Sequence, residues 1–229
     1  AWEALADIEG LPLVIHTAKR AQKAKSLSDV YVCTDSLKIA DVCNDYNVKF
    51  IFKEGDFLNG TERISSSLDN FTSDFFIDIQ GDEPLINPEH IDFVTSKLCS
   101  ESFSHSILLP LLRVPYSSAD TIVKVQISKS GRVMTLSRAS LPYRYAQTSS
   151  FVFKHLSIIG FKREALMRYS SLPPSTSETI ESIELLRFLE NDFSIGTLCL
   201  QGDSFSVDIQ DDLDRARVAM RNDPLFNTY

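Results

Sequence analysis

Between Val30 and Leu98, short β-rich runs alternate with stretches of helical spacing, and this rhythm restricts the fold more than any other feature of the sequence. Val30 to Cys33 is the first run and ends at Thr34-Asp35. Leu37, Ile39, Ala40, Val42, Cys43 and Tyr46 follow with the spacing of one helix face, which Asp35 or Ser36 can cap. Val48 to Phe52 reads as the next strand, Thr61 to Phe71 as a helix, and Phe75 to Ile79 as a buried strand. Pro88 then stands where a first-turn proline starts a helix running to Leu98. This βαβα order predicts an α/β fold with a mixed, mainly parallel sheet and helices on both faces.

The second half changes character. His105 to Val114, Thr121 to Ile127, Arg132 to Ser137 and Leu156 to Phe161 read as extended, with a turn at Ser130-Gly131. They predict antiparallel strands, or an arm added to the sheet. Ser175-Thr176-Ser177-Glu178 matches a capping box, and Ile180, Ile183, Leu186 and Leu189 supply a buried stripe behind it. A last helix begins near Gln210 and carries Leu213, Ala216, Val218 and Met220. No repeat, low-complexity linker or boundary divides the chain, so residues 1–229 are expected to form one domain.

Charge narrows the partners. A net charge of -8 argues against a nucleic-acid surface, because phosphate contacts need clustered Lys and Arg. An anionic small substrate stays open, since a few cations focused in a cleft outweigh the overall balance. No apolar run is long enough to span a bilayer, and no secretory signal opens the sequence. Cys33, Cys43, Cys99 and Cys199 lack CxxC spacing, so free thiols in a reducing cytoplasm are expected rather than metal ligands.

Two acidic positions can carry chemistry. In Ile79-Gln80-Gly81-Asp82-Glu83-Pro84 an apolar strand ends in Gly, two carboxylates and Pro. Ligands of open α/β sheets bind beyond the carboxyl ends of strands, and a carboxylate there can hold Mg²⁺ beside phosphates. A plain surface turn would use the same residue types. Asp208, in Val207-Asp208-Ile209-Gln210-Asp211-Asp212, precedes the last helix. The helix dipole explains Asp211 and Asp212 well and Asp208 less well. Two Asp residues drawn from distant strands can bridge one magnesium ion.

Three further segments offer binding groups. Gly60-Thr61-Glu62-Arg63 is a turn into a helix with a cation in its first turn, where the dipole disfavours it. Arg63 therefore serves a ligand, or reaches back to Glu54 or Asp56. Arg138, after an extended run and before Pro142-Tyr143, can grip a carboxylate in two-pronged fashion. His155 follows Phe151, Phe153 and Lys154, and alone is as easily structural as functional.

Taken in order, these pieces resemble the CMP-KDO synthetases, the 3-deoxy-manno-octulosonate cytidylyltransferases. The likeness begins at Leu5-Ala6-Asp7-Ile8-Glu9-Gly10-Leu11-Pro12-Leu13 and runs through Thr34-Asp35, Gly60 to Arg63 and Gln80 to Pro84. It continues through Val123-Lys124-Val125, Leu136-Ser137-Arg138, Leu141-Pro142-Tyr143, Lys154-His155-Leu156 and Glu181 to Arg187, and closes at Val207-Asp208 and Asp212 to Arg217. The resemblance implies a Rossmann-like nucleotidyltransferase fold, a homodimer in the cytoplasm, and dependence on Mg²⁺ and CTP. It makes Asp82 and Asp208 the catalytic magnesium ligands, and places Gly60, Thr61 and Arg63 at the nucleotide. Gln80, Arg138, His155 and Glu184 would face an eight-carbon 3-deoxy sugar acid. Its anomeric hydroxyl would attack the α-phosphorus of CTP and release pyrophosphate, giving an activated sugar for lipopolysaccharide or capsule. A cytidylyltransferase for a nine-carbon, sialic-type acid and a non-catalytic paralogue are the alternatives.

Departures from the family pattern carry their own expectations. The family opens with a strand and a basic, Gly-containing nucleotide loop, whereas this chain starts at about the end of that loop. Further residues upstream are expected. Ile159 and Phe161 stand where the family has tyrosines, and Leu185 where it has Gln. Replacing Tyr hydroxyl and Gln amide groups with Ile and Leu is expected to make that part of the sugar pocket more apolar, so a sugar acid modified relative to KDO, an amino- or deoxy-variant, is expected.

Overall fold

The computed structural model describes residues 3–146 and 149–229. A short hairpin, β1 (Asp7–Ile8) and β2 (Leu11–Pro12), turns through Glu9 and Gly10, both at positive φ. It delivers α1 (Leu13–Ala21), a helix buried along almost its whole length. Next come β3 (Val32–Thr34), α2 (Leu37–Asp45) and β4 (Phe50–Phe52), whose two strands pair in parallel with Val32 opposite Phe50. Then follow α3 (Gly60–Ser65), β5 (Phe75–Ile79), α4 (Pro88–Leu98) and β6 (Ile107–Pro115). The middle of the chain contributes β7 (Lys124–Ile127), β8 (Val133–Ser137), β9 (Phe151–His155) and β10 (Ile158–Lys162). It ends with α5 (Arg163–Tyr169), α6 (Thr176–Glu181), α7 (Leu185–Glu190), β11 (Ile195–Leu200) and α8 (Gln210–Arg221).

The larger sheet forks. β6 is its central strand, with an apolar, fully buried first half, and β11 runs parallel along one side of it. Along the other side, β9 and β10 act as one bent antiparallel strand, from Phe151 opposite Pro115 to Phe161 opposite Ile107. Beyond the bend at Leu156-Ser157, β10 also pairs with β5; before it, β9 pairs with β7, which carries β8. The mixed α/β class is as expected, but the sheet is mainly antiparallel rather than mainly parallel. The reason is the β9–β10 return: it inserts between β5 and β6, which a βαβ unit would otherwise leave side by side.

Other expectations need adjusting. The helix expected over 61–71 stops at Ser65, and a single 3-10 turn covers Leu68–Asn70. The helix expected behind the capping box breaks at Ser182, whose backbone is left-handed, so Ile180 is exposed while Ile183 and Leu186 are buried. Val218 likewise faces outward on α8, where Leu213, Ala216 and Met220 are buried. All four cysteines are free thiols. No helix among the described residues is long and apolar enough to cross a membrane.

Among the described residues β3 has a neighbour on one side only, as does β5, and between them lies a groove of about 1030 Å³. Val14, Thr17, Val32, Thr34, Ile77 and Asp78 are among its walls.

β11 makes one close approach that tests the packing. A Cβ on Gly196 would lie 2.6 Å from ring atoms of both Phe103 and His105. Phe103 is buried, and His105 is held by Ser194, so neither ring is free to withdraw. Gly196→Ala is expected to cost about 1–3 kcal/mol in chemical denaturation. A change within a few tenths of a kcal/mol would show that the contact relaxes.

Candidate active site

The end of β5 meets the fork of the sheet. Gln80 donates its backbone N–H to the carbonyl of Ser157, at the β9–β10 bend, over 3.1 Å. Two residues on, the carbonyl of Asp82 accepts from the backbone of Val207 at 3.0 Å, which brings Asp208 alongside Asp82. The Asp82 carboxyl is pushed up to about 7, first by burial and then by the negative charges of Glu83 and Asp208. Asp208 is exposed and accepts from Ser206 Oγ at 3.3 Å. Asp212 caps α8, accepting from the N–H groups of Asp208 and Ile209, as the dipole argument expects. Among the described residues no group of three or more His, Cys, Asp or Glu side chains is placed to hold a metal. Two carboxylates suit a hard cation that takes its remaining oxygens from phosphates and water.

α3 abuts the same strand end. Asn59 caps it by accepting from the N–H of Glu62. A Cβ on Gly60 would lie 3.9 Å from Gln80 Nε2. Thr61 is fully buried, and its hydroxyl donates to Asp78 Oδ2 at 3.4 Å. Arg63 pairs with Asp35 at 3.4 Å, not with Glu54 or Asp56, and lies over the Phe57 ring. Because α3 spans only six residues, Arg63 belongs to its last turn, so the dipole does not disfavour it there. The case for Arg63 rests instead on its surroundings.

Arg138 follows β8 and is held by the loop between α6 and α7. Its N–H donates to Glu181 Oε2 at 2.7 Å, and its Nε to the Glu181 carbonyl at 2.8 Å. Nη1 and Nη2 donate to the carbonyls of Asp120 and Ser182. The fully buried Lys124 also holds this turn, donating to the carbonyls of Arg138 and Ala119. Three of the five guanidinium N–H groups are thus engaged, and two remain for an anion. His155 ends β9 at the fork. Burial, then the charges of Lys154 and Arg138, push its pKa down to about 4, so the ring is neutral at physiological pH. Glu184 occupies the N-cap position of α7, half-buried, with its carboxyl pushed up by burial.

Asp78 is the site residue that the sequence reading missed. It is buried and pushed up to about 7, by burial first and by Glu184 second. Ile159 stands opposite it in the sheet register and offers no hydrogen bond. Its signal was a lone carboxylate inside the apolar strand Phe75-Phe76-Ile77-Asp78-Ile79. Ile159, Phe161 and Leu185 are 1%, 0% and 1% exposed, and all three belong to the main core cluster. They fill the interior under α5 and α7 rather than walling a pocket. The structural premise for a modified sugar acid is therefore absent.

Five buried side-chain polar atoms among the described residues have no hydrogen-bond partner: Arg63 Nε, Ser65 Oγ, Asp82 Oδ1, Arg144 Nε and His155 Nδ1. Such atoms are nearly always paired in folded proteins. Three of these five sit on residues that the sequence had marked for ligands, one each on α3, beyond β5 and at the fork.

Comparison with known proteins places the chain in a family. A family model described as Cytidylyltransferase matches residues 4–195. A protein of Chlorobium limicola named 3-deoxy-manno-octulosonate cytidylyltransferase is 35% identical over 229 residues, covering 95% of this chain and 90% of the relative. A protein of Chlorobium phaeobacteroides with the same name is 33% identical, over 96% of this chain and 92% of its own. Among solved structures, a CMP:2-keto-3-deoxy-manno-octonic acid synthetase complexed with CTP matches with a TM-score of 0.89 and 26% identity, covering 96% of this chain and 92% of that one. HddC from Yersinia pseudotuberculosis matches at a TM-score of 0.67 and 14% identity, over 95% of this chain and 89% of its own, which speaks to the fold alone. With a Rossmann-like nucleotidyltransferase fold and these relatives along nearly its whole length, the chain is a nucleotidyltransferase of the cytidylyltransferase family, on its 3-deoxy-manno-octulosonate cytidylyltransferase branch.

Proposed function

We propose that this protein transfers CMP from CTP to the anomeric hydroxyl of 3-deoxy-manno-octulosonate, releasing pyrophosphate and working as a homodimer in the cytoplasm. The observation that carries the reading is the set of unpartnered buried atoms on Arg63, Asp82 and His155 around the end of β5. Asp82 and Asp208 would hold magnesium, which supplies neutralisation of the triphosphate and of the leaving pyrophosphate. Gly60 starts α3 against Gln80, Thr61 bonds to Asp78, and Arg63, one turn on, would meet the nucleotide. The two uncommitted N–H groups of Arg138 suit the sugar carboxylate. Neutral His155 can donate from one ring nitrogen and accept at the other, which suits hydroxyl groups. Gln80 and Glu184 add amide and carboxyl partners. The residues orient and desolvate the reactants, so no covalent enzyme intermediate is required.

The test is pyrophosphate release by the full-length native protein from CTP and Mg²⁺, with the eight-carbon and a nine-carbon acid supplied in parallel. Release with the eight-carbon acid supports the reading. Release only with the nine-carbon acid moves the substrate class, and silence with both rejects the proposal. Arg138→Lys keeps the charge but loses the planar fork, so the KM for the sugar acid is expected to rise about 10–100-fold. The KM for CTP should stay within about twofold. An unchanged sugar-acid KM in steady-state kinetics would remove Arg138 from the carboxylate.

A further inference from the structure

A heavily engaged buried cluster lies outside the set of ligand-facing residues. Arg187, on α7, is 1% exposed, an unusual place for a guanidinium. Its Nε and Nη2 each donate to Glu178 at 2.7 Å, as a two-pronged pair. Nη2 also donates to Glu62 Oε1 at 2.7 Å, and Nη1 to the Leu172 carbonyl at 3.3 Å. The guanidinium lies 4.2 Å from the centre of the Tyr169 ring. Burying a charge in this way rarely increases stability over an apolar residue of the same size, so its value is better sought in the geometry it imposes.

That geometry is specific. Glu62 turns its other oxygen to the N–H of Leu58 at 2.9 Å. Glu178 and the Tyr169 hydroxyl both accept from the side chain of Asn59, the cap of α3, at 3.1 and 2.9 Å. The start of the nucleotide helix is therefore held at Leu58, Asn59 and Glu62 by one buried cluster. Glu178 also closes the capping box of α6 through the N–H of Ser175. One turn further along α6, Glu181 holds the other half of the site: it accepts from the N–H of Arg138 and from Ser137 Oγ at 2.6 Å. Arg187 and Glu178 are themselves too buried to touch a substrate.

Resting on the cytidylyltransferase reading, we infer that Arg187 and Glu178 are positioning residues, which through α6 set the nucleotide helix α3 and the sugar-acid residue Arg138 in register with each other. A change at Arg187 then moves both halves of the site, although Arg187 contacts only one of them.

The experiment compares wild type with Arg187→Lys, which keeps the charge but not the fork, and with Glu178→Gln, which keeps the shape. Steady-state kinetics is paired with amide hydrogen exchange on the same proteins. Both variants are expected to raise the KM for CTP and for the sugar acid together, about five- to twentyfold each. Exchange should quicken at residues 58–66 and at 137–140 more than elsewhere. Lower thermal stability with both KM values unchanged would overturn the inference and leave a structural role. A rise confined to CTP, with exchange altered only at 58–66, would overturn the coupling. If Arg187→Lys does not fold, Glu178→Gln decides by the same criteria. If the wild type releases no pyrophosphate with any acid, the functional reading fails on its own. The exchange pattern then still judges the linkage: both segments loosened supports it, one or neither overturns it.

Discussion

Asp82→Asn is expected to reduce pyrophosphate release about a thousandfold or more and, in magnesium-free buffer, to make the protein more stable. The rate loss follows if Asp82 is one of two carboxylates holding the cation, since metal neutralisation supplies several kcal/mol and each 1.36 kcal/mol is tenfold. The stability gain follows from its surroundings. In the unfolded chain an Asp ionises near 3.8, whereas here burial and the neighbouring Glu83 and Asp208 hold the carboxyl neutral up to about 7. The folded state therefore binds the proton more tightly than the unfolded state between those two values. Stability falls as pH rises through that window, and above 7 the ionised group carries its full penalty. Asn has no charge to desolvate. Allowing for partial exposure, the gain at pH 8 is about 1–3 kcal/mol, disappearing below pH 4. Thermal melts at both pH values, beside an activity assay, measure both effects. A variant that keeps a tenth of the wild-type rate, or melts lower at pH 8, would rule out a desolvated metal-holding carboxylate.

Phe188→Ala is expected to cost about 3–5 kcal/mol, because it removes a fully buried ring and leaves a hole. The Phe188 ring stacks 4.8 Å from Tyr169, with Phe193 at 5.3 Å and Phe161 at 5.7 Å, so aromatic contacts are lost as well as volume. For a chain of this size the melting temperature should fall by about 10 °C. Phe188 lies one turn beyond Glu184 and beside Arg187, so the loss should also be felt as a higher sugar-acid KM. A cost below about 1 kcal/mol would mean that α7 collapses into the space.

Much of the site was legible because its signals are local. Asp82 stands where an apolar strand stops, Asp208 where the dipole left one acidic residue unexplained, and Pro88 and Ser175 mark helix starts by their own chemistry. Arg63 was singled out on a dipole argument that the short helix does not support, and its unpartnered Nε now carries the case. Ile159, Phe161 and Leu185 were read as pocket residues, yet a departure from a family pattern says nothing about which way a side chain faces. α1, β9 and β11 escaped notice. The buried face of α1 covers nearly the whole helix and leaves little polar stripe, while β9 carries Lys154 and His155 in a half-buried strand.

The sequence alone therefore determined most of the candidate residues for the chemistry, though not Asp78, where most strands and helices begin, and to which family the chain belongs. The element starts depend on neighbours a few residues apart, whose propensities act without the rest of the fold, and the family on the order of short motifs along the chain. The tertiary structure decided the antiparallel character of the sheet, because β9–β10 returns between strands that precede it by scores of residues. It also decided that Asp82 meets Asp208, that Arg63 answers to Asp35, and that Arg187 ties Glu178 to Glu62. Such pairings form only when long loops close, and no local preference encodes them.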